Sequence, residues 1–278
     1  MVDNEVIIVV VVYNQPNFLE YQYRCLKKFM KIPFRYMIFD NSEQEYITSQ
    51  FVDICKKNYI EYYRVPDSIR MHAGDSLRAG RSLDYALQYI YHTNYRGIVM
   101  VNDSDLFLVK EYDPRLVVHG FEIVGRSIKQ IYHRNESDEN PINKYNIDYF
   151  SNQFIIIDYS KVKDIYKISF EPCIIDGINL DCGGKLVEYF KEMKGNYHSI
   201  NEYCSGYTMS EINMVELDDM IMSYLKKDIE INNGQSFSEV FDNSFIHFRA
   251  GSNWIHHSHE RYRLRCDNLN NLLSQLTL

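Results

Sequence analysis

Tryptophan occurs once in this chain, proline six times and glycine twelve times among 278 residues. No Pro/Gly/Ser-rich linker and no internal repeat breaks the chain, which excludes a fibrous array and marks no domain boundary. Long apolar runs are also missing. The strongest, Val6 to Val12, has seven residues, about a third of the roughly 20 that a membrane-spanning helix needs. No basic segment precedes it and no small-residue cleavage site follows, so it reads as a buried strand and the expected location is cytoplasmic. The six cysteines (25, 55, 173, 182, 204 and 266) form no CxxC motif and fit reduced thiols in such a compartment. A surplus of positive charge is lacking as well. Lys+Arg 30 against Asp+Glu 38 gives a net charge of -8, which argues against nucleic acid as the main partner.

What remains is an ordinary globular balance, 45% hydrophobic and 24% charged, with 24 Tyr and 15 Phe. The length suffices for a sizeable core. Val6–Val12 is continuously β-branched, as a strand buried on both faces requires. It ends in "YNQPN", and Phe18, Tyr21, Cys25, Leu26 and Phe29 then recur at helical spacing. Strands follow at "FRYMIFD", "YIEYYRV" and "GIVMV". Between them lie helices at "EYITSQFVDICKKN" and at "SLRAGRSLDYALQYIYHTN", the latter entered through Gly80. This alternation predicts an α/β fold: a mixed, mostly parallel central sheet with helices on both faces, in a single domain. Farther on, "FEIVGRSI" and "YFSNQFIIID" read as strands and 133–148 as a polar surface loop. "CIIDGINLDCGG" reads as acids and glycines leading into a helix. "ELDDMIMSYLKKD" and the solvated terminal "HERYRLRCDNLNNLLSQL" read as further helices.

Chemistry concentrates at strand ends, where open α/β sheets bind ligands. Asp103-Ser104-Asp105 follows "GIVMVN" and offers two hard oxygen ligands suited to Mg²⁺ or Mn²⁺. The competing reading is a solvated turn or helix cap. In "IHFRAGSNW", His247 is either a transition-metal ligand or a hydrogen-bonded core histidine. The turn at Gly251, Ser252 and Asn253 offers backbone N–H groups to a phosphate. Asp40 and Asn41, ending the second strand, either accept a hydrogen bond from a base or ribose or close an Asx turn. Asp181 is either a general base or the N-cap of the next helix, and Asp176 is the second candidate base. His256, His257 and His259 lack the i, i+4 spacing of a helical zinc pair and read as a loop.

The order of these elements resembles glycosyltransferases of the GT-A fold. The matching features are "VVVVYN", "FDNS", "AGRSLDYAL", "VNDSD", "FSNQFIIID", "NLDCGG" and "HFRAGSNW", spanning Glu5 to Trp254. The resemblance implies a nucleotide-sugar donor, with a UDP-sugar favoured, a divalent cation and a carbohydrate or glycoconjugate acceptor. Residues 1–105 would form the nucleotide-binding half and 106–278 the acceptor half. Carried over by position, Asp105 and His247 hold the metal, Asp103 contacts the metal or the ribose, and Ser104 lies between the two acids on the donor. Asp40 and Asn41 read the base, and Tyr13, beside Asn14, stacks on it. Arg78 or Arg81 contacts the diphosphate. Asn152, Gln153, Asp181 and Trp254 face the acceptor. Related retaining enzymes carry a Lys and a Pro where this chain has Ser252 and Asn253, so a phosphate contact there falls to Arg249 or to backbone N–H groups. Inversion with Asp181 as base is the favoured stereochemistry. A sugar nucleotidyltransferase would carry a Gly-rich, basic turn after the first strand, which "YNQPNF" lacks. A non-catalytic carbohydrate-binding descendant of such an enzyme is the other alternative.

The cations are unevenly spread. His247, Arg249, His256, His257, His259, Arg261, Arg263 and Arg265 gather in one C-terminal stretch. The net charge therefore speaks against polyanions but leaves a nucleotide diphosphate admissible.

Overall fold

The structure is a computed structural model, and it describes residues 5–70, 74–131, 146–175, 177–194, 196–203, 205–249 and 258–277. In chain order the strands begin with β1 (Val6–Val12), β2 (Phe34–Asp40), β3 (Glu61–Arg64), β4 (Ile98–Asn102), β5 (Leu106–Leu108) and β6 (Ile123–Ile131). They continue with β7 (Asn146–Asp158), β8 (Cys173–Ile175), β9 (Ile178–Leu180), β10 (Tyr197–Ser199), β11 (Glu202–Tyr203), β12 (Glu239–Phe241) and β13 (Phe245–His247). The helices are α1 (Pro16–Phe29), α2 (Glu45–Asn58), α3 (Asp67–Arg70), α4 (Asp75–His92), α5 (Pro114–Val117), α6 (Leu186–Met193), α7 (Met209–Ile212), α8 (Asp219–Ile231) and α9 (His259–Thr277).

Seven strands form the main sheet in the order β10-β6-β7-β4-β1-β2-β3. β1 runs parallel to both neighbours, β2 and β4, while β7 runs antiparallel to β4 and β6. The β-branched run of β1 is explained by this central place. Val6, Ile8, Val10 and Val12 enter the core on one face, and Ile7 and Val9 enter the core on the other. Each fully buried Val or Ile contributes about 1.5–3 kcal/mol. The mixed, mostly parallel α/β sheet read from the sequence is the sheet observed.

The order also locates the site. From β1 the chain winds outward through β2 to β3, then returns across to β4 on the opposite side of β1. The ends of β1 and β4 therefore flank a topological switch point, where the diverging connections open a crevice. A second, antiparallel sheet, β11-β12-β13-β5, stands beside it.

Four local expectations are corrected. Helix α4 starts at Asp75, with Gly74 at its N-cap, and Gly80 lies in its interior. Gly80 is needed for contact: a Cβ there would run into the Phe170 carbonyl. Strand β7 begins at Asn146, inside the segment read as a loop. Cys173–Ile175 and Ile178–Leu180 pair as the antiparallel strands β8 and β9 before helix α6. Helix α9 is not wholly solvated, because Arg265 is fully buried and pairs with Asp228 at 3.4 Å. Its guanidinium also donates to the Phe248 and Arg249 carbonyls and so anchors the chain leaving β13.

Candidate active site

Strand β4 breaks after Asn102, and the break is held from outside. Buried Gln22 on α1 donates to the Asp103 carbonyl at 2.8 Å and also to that of Leu106. The Asp103 N–H donates to the Gln153 carbonyl on β7 at 2.9 Å. Asp103 Oδ1 accepts from the Ser104 N–H at 2.8 Å, which leaves its other oxygen free to face across the site. Two residues on, β5 pairs with β13, with Leu106 opposite His247. The Phe248 N–H donates to the Asp105 carbonyl at 2.9 Å, locking the two segments together.

This register brings three side chains to one point. His247 Nε2 stands 3.1 Å from Asp105 Oδ1 and 3.8 Å from Asp103 Oδ2. One ligand atom from each of the three lies within 4.8 Å of the others. The other ring nitrogen, Nδ1, lies 2.7 Å from Glu239 Oε2. Burial alone would depress the His247 pKa, but the charge of Asp105 and the bonds to Asp105 and Glu239 outweigh it and raise it to about 10. Burial, followed by the charge of Asp105, pushes Asp103 up to about 7. Glu239 would also rise on burial, but His247 and Arg126 hold it below the usual carboxylate range, so it stays an ionised acceptor.

Two carboxylates and an imidazole around one point are a donor set that fits a divalent cation. His247 reaches both acids. The acids are held together by the fold, and a cation fits the charge they present.

The cluster lines a cleft of about 470 Å³. Tyr13, Asn41, Arg78, Ser104, Asn152, Gln153, Asp181 and Arg249 line it too. Arg78 stacks its guanidinium 4.6 Å from the Tyr13 ring centroid and is tied to Glu43 and, at 2.7 Å, to Asp75. Asp181 is exposed and accepts from the Cys182 N–H at 2.7 Å. It caps no helix, since α6 has Lys185 at its N-cap. Gly183 explains the close approach of this turn to β7. Its φ of +97° and a Phe150 carbonyl where a Cβ would stand exclude other residues there.

Three expected donor contacts are absent from this cleft lining. Asp40 is 0% exposed and faces β3 and α2. Its oxygens accept from the Ser42 N–H, Thr48, Tyr62 and Arg64 at 2.6–2.9 Å. The carboxylate closes a turn and is fully engaged, whereas its neighbour Asn41 lines the cleft. Arg81 points away and pairs with Glu171 at 2.9 Å. Asn14 shapes the turn after β1, with φ of 56° and its N–H donating to Ser42 Oγ at 3.1 Å. Asp176, Gly251, Ser252, Asn253 and Trp254 lie outside the described residues, as do Cys204, His256, His257 and residues 133–145 of the polar loop.

Sequence reasoning missed Gln22, Asn102 and Glu239. Both amide atoms of Asn102, and Oδ1 of Asn41, are buried without a hydrogen-bond partner although both residues line the cleft. Such groups are costly unless a polar ligand meets them.

A scan against protein-family models and a search of curated proteins both return no match. Similar solved structures exist. One is a galactosyltransferase, LgtC, in complex with donor and acceptor sugar analogs: 13% identity, TM-score 0.41, 70% of this chain and 73% of that one. Another, from Desulfovibrio desulfuricans, is provisionally assigned as a nucleotide-diphospho-sugar transferase: 11% identity, TM-score 0.41, 98% and 97%. A third is the mannosyltransferase Ktr4p of S. cerevisiae: 11% identity, TM-score 0.40, 69% and 62%. At such identities and scores the functional reading rests on the side chains of the site. Among the described residues, no helix is long and apolar enough to cross a membrane.

Proposed function

We propose that the chain is a metal-dependent glycosyltransferase. It transfers a sugar from a nucleotide-sugar donor, a UDP-sugar in the favoured case, to a hydroxyl of a carbohydrate or glycoconjugate acceptor. The observation that carries this reading is the convergence of Asp103, Asp105 and His247 in a cleft at the switch point of the sheet. These three would hold Mn²⁺ or Mg²⁺. Bound there, the cation supplies Lewis-acid stabilisation to the departing diphosphate, worth several kcal/mol.

The chain's own residues do the rest. Tyr13 offers a ring face to the base, and Asn41 and Asn102 offer buried amide groups to base or ribose. Arg249 supplies positive charge near the phosphates. In this reading 1–105 form the donor half and 106–278 the acceptor half, with Asn152, Gln153 and Asp181 on the acceptor. Asp181 accepts the proton of the attacking hydroxyl as the acceptor oxygen bonds to the anomeric carbon. The bond from that carbon to the diphosphate oxygen breaks, and the electron pair leaves with the diphosphate. A single displacement of this kind inverts the anomeric centre.

The test is a donor-hydrolysis screen over nucleotide sugars with Mn²⁺, followed by NMR of the product anomer. Turnover of a UDP-sugar that needs the metal and vanishes in Asp105→Ala supports the reading. Turnover that survives Asp105→Ala overturns it.

A further inference from the structure

Every ligand of the proposed metal has a motif that announces it, but the strongest hydrogen bond to His247 comes from a residue with none. Glu239 lies on β12 directly opposite His247 on β13 and is 2% exposed. One of its oxygens meets His247 Nδ1 at 2.7 Å, and the other meets Arg126 Nη2 at 3.1 Å. Arg126, on β6, also binds Glu202 at 2.6 Å through Nε and the Gln153 side chain through Nη1. Its guanidinium lies 5.3 Å from the Phe241 ring centroid, and that ring stacks on the His247 imidazole at 5.6 Å.

We infer that Glu239 and Arg126 are positioning residues for the metal ligand His247. The inference rests on the metal site proposed above. A carboxylate can only accept, so in the neutral ring that a metal requires the bond to Glu239 places the proton on Nδ1 and the lone pair on Nε2, which faces Asp105 and Asp103. The same bond fixes the ring plane and raises the basicity of Nε2. Arg126 holds the far oxygen of Glu239, so the carboxylate cannot swing away, and its charge offsets that of a buried acid. Because Arg126 also grips Gln153, one cation sets both the ligand's support and a side chain of the cleft. A purely structural network would satisfy the same buried charges without any bearing on metal affinity, and this separates the two roles.

The experiment titrates full-length wild type, Glu239→Gln and Arg126→Gln with Mn²⁺. Free Mn²⁺ is read by electron paramagnetic resonance, thermal unfolding is followed in parallel, and ¹⁵N-histidine spectra report the ring tautomer of the proteins loaded with diamagnetic Mg²⁺. Wild type is expected to bind one Mn²⁺ per chain. Folded Glu239→Gln should bind about 10-fold to 100-fold more weakly, with the His247 ring no longer held as a single tautomer. If Glu239→Gln does not fold, the same loss of Mn²⁺ affinity in folded Arg126→Gln, smaller in size, supports the inference. A wild type that binds and variants that bind equally well overturn the positioning role alone. A wild type without Mn²⁺ affinity overturns the metal site and the positioning role with it.

Discussion

Two strands of the main sheet run into aspartate, and the two ends have met opposite fates. At the end of β2, Asp40 faces Arg64 across the β2–β3 register, with the ion pair at 2.6 Å and three further donors around it. At the end of β4, Asp103 and Asp105 face each other and His247, and Asp103 is pushed up to about 7. The first carboxylate is satisfied by the fold. The second pair is gathered around the His247 imidazole on the wall of the cleft. Sequence pattern at a strand end shows where an acid is; only the partners show whether it is spent on structure or kept for chemistry.

Substitution should separate the two ends. Asp105→Ala should lower metal-dependent donor turnover by about 10³-fold, as loss of a main electrostatic stabiliser does. Its thermal stability should change little, since the variant removes both a like charge beside Asp103 and an opposite charge beside His247. Steady-state rates with Mn²⁺ and a melting curve check both. Asp40→Ala should do the reverse. It strands Arg64 and three donors around a buried space and should cost about 3 kcal/mol in urea unfolding, while Mn²⁺ affinity of the folded fraction is kept. A stable Asp40→Ala with lost nucleotide binding would show that Asp40 serves the ligand and not the turn.

The pH response sharpens the contrast further. With His247 raised from 6.5 to about 10, the metal-free site keeps a proton on the imidazole at neutral pH, and below about 7 Asp103 takes another. A cation must displace these protons. Its affinity should therefore rise with pH, by about tenfold per unit for each proton released, most steeply below pH 7. Calorimetry in two buffers of different ionisation enthalpy counts the protons, and a pH-independent affinity would contradict the coupled site. The smallest effect belongs to the wall. Tyr13→Ala should weaken UDP binding by about fivefold to tenfold, the low end of a base–aromatic stack, with Mn²⁺ binding unchanged.

How much of this was legible depends on where each residue is buried. β1 could be read because burial on both faces leaves an unbroken apolar run, and Asp103 and Asp105 because such a run stops in acids. His247 was readable only as one of two possibilities, since its role depends on the β5–β13 register. Asp40 misled for the reason Asp103 did not: Arg64, its partner, lies 24 residues away on a neighbouring strand. Gly80 reads as a helix entry in the sequence, whereas the Phe170 carbonyl demands a glycine there in the helix interior. Glu239 had a signal that went unread. "EVF" and "FIH" mirror each other about Asp242, Asn243 and Ser244, with positive φ at the first two, which is a short hairpin that sets Glu239 opposite His247.

The central claim is that Asp103, Asp105 and His247 together bind a divalent cation that a nucleotide diphosphate completes. Anomalous diffraction at the manganese edge, from crystals grown with Mn²⁺ and UDP, tests it most directly. The account predicts one strong peak per chain within coordination distance of His247 Nε2 and of both aspartates, with diphosphate oxygens on its open side. A peak elsewhere, or UDP bound with the three side chains still paired to one another, would contradict it.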